Sequence, residues 1–341
     1  MPQPRKTQIS VEATPYYHCV SRCVRRAFLC GCDKFSGRSY EHRRSLIESE
    51  LLRLGRIFYL DVVAYAVMSN HYHVVLYIDQ SAQLAAETKE IVTRWHQLHR
   101  GNHVSAKFLN GEPLDPHELD SLNLLVDQWR ERLASISWYM RVLNEKIARM
   151  ANIEDEVTGR FWEGRFKCQA LLDDQALLSC MAYVDLNPVR AAIANTPENS
   201  EHTSIRKRVQ HWKEKAANQE KTADTGTSAI MNYQPEHLHR FAGNLRRDVT
   251  KGILFNLIDY LQLLDWTGRQ IREDKTGAIP ANAATILERL SISPRHWVYL
   301  CTNFESHFKG LVGSIHSLKQ VYKCFDRHRT PNLSSSAHVF P

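Results

Sequence analysis

The amino-acid sequence predicts an α+β fold, a ferredoxin-like antiparallel sheet with helices packed on it. Three observations lead there. Strand-like and helix-like stretches follow one another in the order strand, helix, strand, strand, helix, strand. Two of those strands are joined only by Ser69-Asn70, a tight turn that makes them a hairpin. Apolar residues form 43% of the 341, enough to build cores for one large or two ordinary domains.

Each element has its own local reason. Residues 14–21 alternate and carry two tyrosines, as a strand does. Leu46, Ile47, Leu51, Leu52 and Leu54 recur at helical spacing within residues 40–54. Residues 57–68 are rich in β-branched and aromatic side chains and lead through Ser69-Asn70 into the strand that begins at His71. Helices are predicted over 81–99 and 118–151, the second with an apolar stripe of Leu133, Ile136, Met140, Leu143 and Ile147. Residues 159–170 alternate like a strand, and 174–186 follow as a helix capped by Asp173-Asp174. Pro188 disfavours helical geometry at Asn187, so that helix should end there, with Asn187 capping a new helix that has Pro188 in its first turn.

Domain limits follow from composition. Residues 1–200 read as one unit with a helical insertion at about 81–127. Residues 201–232 read as a polar helix and linker, with 221–228 loop-like. Hydrophobic periodicity returns over 233–325, at 253–264, 281–290, 294–304 and 311–324, which predicts a small all-helical C-terminal domain. Its turn Ser291-Ile292-Ser293 suits a helix-turn-helix or a plain packing module equally. Residues 326–341 are expected to be a disordered tail.

The net charge is +7, and residues 201–341 supply the whole excess. A smaller basic cluster lies early, around Arg22, Arg25, Arg26, Arg43 and Arg44. Such clusters suit a phosphate backbone, or they are simply a solvated surface. Eight cysteines fit no common zinc spacing and no required disulfide framework, so reduced thiols are expected. No apolar run reaches membrane-spanning length and the first residues carry no apolar signal region. The sequence therefore predicts a soluble, cytoplasmic protein without a membrane partner.

Two constellations carry chemistry. In His71-Tyr72-His73 the histidines are two apart on a strand and share a face, where both imidazoles can reach one cation; ordinary packing explains such a pair as well. Tyr183 and Asn187 are four apart near a helix end. On spacing alone they read as a core tyrosine and a cap.

Taken in order, Tyr16-Tyr17-His18-Cys19-Val20-Ser21-Arg22, Ala66-Val67-Met68-Ser69-Asn70-His71-Tyr72-His73, the Gly159 to Lys167 stretch and Tyr183-Val184-Asp185-Leu186-Asn187-Pro188-Val189-Arg190-Ala191 form a set. That set resembles the REP-associated tyrosine transposases and their insertion-sequence relatives, the single-tyrosine branch of the HUH enzymes, over about residues 14–210. The resemblance implies an HUH nuclease fold and metal-dependent cleavage and rejoining of single-stranded DNA flanked by a hairpin, in a bacterial cytoplasm or nucleoid. It implies His71, His73 and Asn187 as ligands of Mg2+ or Mn2+, and Tyr183 as a nucleophile forming a 5′-phosphotyrosine. Arg22, Arg25, Arg26, Arg165, Lys167, Tyr17 and Trp162 are the expected DNA contacts, as basic groups interleaved with aromatics, beside Tyr16 and Phe161. Monomer and homodimer both remain open. Two other functions stay open as well: a domesticated DNA-binding protein of the same fold without cleavage activity, and an unrelated metal hydrolase using water as nucleophile.

Overall fold

In a computed structural model, which describes residues 7–24, 28–33, 37–219, 234–243, 251–272, 280–325 and 330–340, strand β1 (Tyr16–Arg22) is the central strand of an α+β fold. Helix α1 (His42–Ile57) leads to the hairpin of β2 (Leu60–Val67) and β3 (His71–Ile78), closed where the Met68 amide donates to the His71 carbonyl at 2.9 Å. Strand β4 (Lys167–Leu171) flanks β1 on its other side. The order is β2-β3-β1-β4-β5, with every pair antiparallel except the last. The short β5 (Leu311–Val312) adds in parallel to β4, so the sheet is mixed where a purely antiparallel one is expected from the sequence.

Four helices fill the inserted segment: α2 (Gln80–Ala85), α3 (Thr88–His96), α4 (His103–Leu109) and α5 (Pro116–Leu133). The single helix expected over 118–151 is two, α5 and α6 (Ile136–Glu154). Ser135 stands between them and its hydroxyl accepts from the Trp138 amide, restarting the chain as a new helix. The strand expected over 159–170 shortens to β4, and before it Trp162 makes an isolated antiparallel bridge with Cys23, just past the end of β1.

Alternation along the strands divides the core in two. Tyr17, Cys19, Tyr72, Val74 and Leu76 face α1 and α6, packing with Leu51, Tyr139 and Leu143. The opposite face carries α7 (Asp174–Asp185), whose N-cap Asp173 accepts from the Ala176 amide, then α8 (Asn187–Arg190) and α9 (Ser204–Gln219). Val63, Ala66 and Val75 of the sheet pack there with Met181 and Val184.

The C-terminal part belongs to that second core. Helices α10 (Leu257–Ile271), α11 (Ala281–Arg289) and α12 (Pro294–His307) bury Tyr260, Leu287, Trp297 and Phe304 in one cluster with α7. Each fully buried side chain of this size contributes about 1.5–3 kcal/mol, so the residues expected to form a helical domain of their own share the core of the sheet. The expected helix over 311–324 opens instead as β5, followed by α13 (Ile315–Val321). Within the tail expected to be disordered, the described residues 330–340 hold helix α14 (Leu333–Val339), and Phe340 stacks on Phe308 with ring centroids 5.5 Å apart. The loop-like stretch 221–228 lies outside the described residues. Among the described residues, no helix is long and apolar enough to cross a membrane, and all eight cysteines are free thiols.

Candidate active site

Pairing of β1 with β3 sets Val20 opposite His73 and Arg22 opposite His71. Because side chains two apart share a face, His18, His71 and His73 all project toward α7. The His71 and His73 ring centroids lie 4.8 Å apart at 79°, and those of His18 and His73 lie 5.2 Å apart and nearly parallel. From α7, the Tyr183 ring stands edge-on to both, 5.7 Å from His73 and 6.3 Å from His18. The sheet therefore brings together two of the expected ligands, the expected nucleophile and a third histidine.

Burial sets the electrostatics. It pushes the His71 imidazole down to about 4, with Arg22 adding to the effect. His73 is lowered well below its ordinary range, by burial first and then by its histidine neighbours. Burial also lowers His18, against a raising hydrogen bond from Gln169. All three rings are thus neutral near pH 7, the form that ligates a cation. Tyr183 is raised by burial, and Arg190, whose guanidinium carbon lies 4.0 Å from the ring centroid, pulls it down. Only 6% of Tyr183 is exposed, since Phe304 of α12 packs over it at 5.9 Å.

Asn187 is buried one turn beyond Tyr183. It does not cap α8: Leu186 occupies that position, and the Asn187 Nδ2 has no hydrogen-bond partner. The junction is held by Asp185 instead. Its carboxylate accepts from the Ser204 hydroxyl at 2.5 Å, the Ile205 amide at 3.2 Å and the Tyr260 hydroxyl at 2.8 Å. Burial raises that carboxyl to about 6.

Among the described residues, no three His, Cys, Asp or Glu side chains are arranged to hold a metal ion. What the site does present is an orphaned ring nitrogen, the buried His73 Nε2, which has no hydrogen-bond partner. The buried Asn187 amide nitrogen is likewise without a partner, and neutral imidazoles and an amide oxygen are donor types that a divalent cation accepts. A cavity of about 450 Å3 abuts His18 and Gln169 and is bordered by Lys167, Glu305 and Phe308. A larger one, about 640 Å3, is lined by Asp61, Asp79 and His239 and not by His18, His71 or His73, and Lys251 already pairs with both aspartates there.

The expected DNA contacts fare unevenly. Tyr17 is fully buried on the α1 side of the sheet, its hydroxyl bonded to the Ser10 backbone, and no base can stack on it. The Trp162 indole donates to the Asn144 carbonyl and packs edge-on against Tyr72. It is a structural ring. Phe161 is buried, and Tyr16 bonds His239 at 3.3 Å. Arg22 is partly buried at the edge of the site, Arg165 is exposed, and exposed Lys167 pairs with Glu305 at 2.8 Å. Arg25 and Arg26 lie outside the described residues. Sequence reasoning assigned no role to His18, Gln169, Arg190, Glu305 or Phe304. Extending the alternation of the His strand across to β1 reaches His18, but no local signal reaches Glu305 or Phe304.

No family model matches the chain, and no curated protein does. Among solved structures the chain is similar to a REP-associated tyrosine transposase bound to a REP hairpin. The TM-score is 0.36 at 11% identity, over 62% of this chain and 86% of that one.

Proposed function

We propose that the protein cleaves and rejoins single-stranded DNA as a metal-dependent HUH transposase of the single-tyrosine type. The observation that carries this reading is the meeting of His71, His73 and Tyr183 on one sheet face, with the His73 and Tyr183 rings 5.7 Å apart. The order β2-β3-β1-β4 over a βαββαβ path supports a ferredoxin-like core for it. His71, His73 and Asn187 would hold Mg2+ or Mn2+. Such an ion polarises the scissile phosphate and stabilises charge on its oxygens. Tyr183 attacks phosphorus, forming the bond to its phenolic oxygen as the bond to the 3′-oxygen breaks, and a free 3′-hydroxyl leaves. Arg190 favours the phenolate by placing a cation over the ring. Reversal by another 3′-hydroxyl joins strands without an external energy source. A strand reaching Tyr183 must displace Phe304, and a single strand bends to do so more readily than a duplex.

A hairpin-bearing single strand incubated with the protein and Mn2+ should yield one fragment with a free 3′-hydroxyl and one with a blocked 5′ end. Tyr183→Phe should bind the strand without cutting, and His73→Ala should cut at least 100-fold more slowly. Products with two free ends would point to water as the nucleophile. A second reading, DNA binding without cleavage, is favoured by the burial of Tyr183 under Phe304; on that reading the wild-type protein binds the strand and leaves it intact.

A further inference from the structure

We infer that Gln169 and His18 are positioning residues that fix the proton of His73 on one nitrogen and leave the other bare for a cation. The chain of hydrogen bonds begins on the backbone. Gln169 Nε2 donates to the Phe308 carbonyl at 2.7 Å, so the amide nitrogen is committed and Oε1 turns to His18 Nδ1, also 2.7 Å away. That oxygen only accepts, so His18 carries its proton on Nδ1. In a neutral ring His18 Nε2 is then a lone pair. It lies 3.0 Å from His73 Nδ1, which must be the donor. His73 Nε2 is left without a proton, and it is buried with no hydrogen-bond partner. Gln169, His18 and His73 are 6%, 0% and 1% exposed, so little of these groups faces bulk water.

His71 is held the same way by a different device. Its Nδ1 lies 2.6 Å from Asn70 Oδ1, an acceptor, which leaves Nε2 bare on this ring as well. Both imidazoles of the pair therefore offer the same nitrogen, one fixed by a neighbour in sequence and one by a relay reaching across β1 and β4 to α12. Outer partners of ligating histidines orient the ring in this manner, and losing one typically weakens metal binding about 10–100-fold.

The relay rests on the proposed metal reading only for what binds at Nε2; the proton position is independent of it. The first test is imidazole 15N NMR of the histidine-labelled wild-type protein without metal. His73 should show a protonated Nδ1 and a bare Nε2, and a proton on Nε2 overturns the relay. The second test is Mn2+ affinity, from the EPR signal of free Mn2+, in Gln169→Met and His18→Phe, with circular dichroism checking the fold. Affinity should fall about 10–100-fold in each, and the Gln169→Met spectrum should show His73 in mixed tautomers. Unchanged affinity in both folded variants overturns the positioning role. A wild-type protein with the expected tautomer that binds no Mn2+ overturns the metal reading, and with it the purpose given to the relay.

Discussion

Arg190 lies 4.0 Å from the Tyr183 ring centroid and opposes the upward push of burial on that phenol. Arg190→Ala should therefore move the alkaline rise of the nicking rate to higher pH. A desolvated cation over a ring is worth about 2 kcal/mol, so nicking at neutral pH should slow by roughly 10–30-fold; a pH–rate profile that superimposes on wild type would contradict the role. Asp185 offers a stability test. Its folded-state value of about 6 stands above the ordinary 3.8, so the folded protein binds that proton more tightly. The stability this contributes is fully present below about pH 4 and is lost as pH rises through 6, about 3 kcal/mol in all. Thermal melts of Asp185→Asn should show a flatter dependence across that window, and an unchanged slope would refute the assignment. At this scale His71 and His73 stand out by their alternation, whereas Tyr183 reads on spacing alone as a core residue and is singled out only through the resemblance. Sequence reasoning misplaces Tyr17, since a shift of one residue along a strand reverses the face. Gln169 and His18 acquire roles only through strand pairing, which no local pattern announces.

Asp173 ties the starts of two helices, α7 and α13. Its Oδ1 caps α7 through the Ala176 amide at 3.0 Å, while Oδ2 accepts from the Ser314 amide at 2.7 Å and the Ser317 hydroxyl at 2.8 Å. Asp173→Ala removes a cap worth about 1 kcal/mol and leaves the Ser314 and Ser317 donors in need of new partners. Urea unfolding should show a loss of about 2–3 kcal/mol, and a loss under 1 kcal/mol would mean that only the cap counts. The cap is legible in the sequence; its second duty depends on where α13 packs and is not. The same contrast runs through the other elements. Strong periodicity finds α1, α7 and α12, whereas the apolar stripe from Leu133 to Ile147 runs on through Ser135 and conceals the break between α5 and α6. Strand β5 is two residues long, too short to alternate.

Across the whole molecule, the C-terminal helices complete the second core. Trp297, Leu300 and Phe304 of α12 pack on α7, and Gln169 of β4 donates to the Phe308 carbonyl at the end of α12. Composition marks the polar stretch after residue 200 as a boundary, but polarity reports the path of the chain and not where later helices return. A chain ending at residue 200 should therefore expose the apolar face of α7 and associate. Size-exclusion chromatography should give aggregates in place of a monodisperse species, and a monodisperse truncation with native near-ultraviolet dichroism would show that the first 200 residues stand alone. The central claim is that Tyr183 takes the 5′ end of a cut strand, and mass spectrometry of the trapped product tests it most directly. A hairpin-bearing oligonucleotide, incubated with Mn2+ and digested, should leave a nucleotide attached to the peptide that contains Tyr183. An adduct on any other peptide, or one that persists in Tyr183→Phe, would contradict the account.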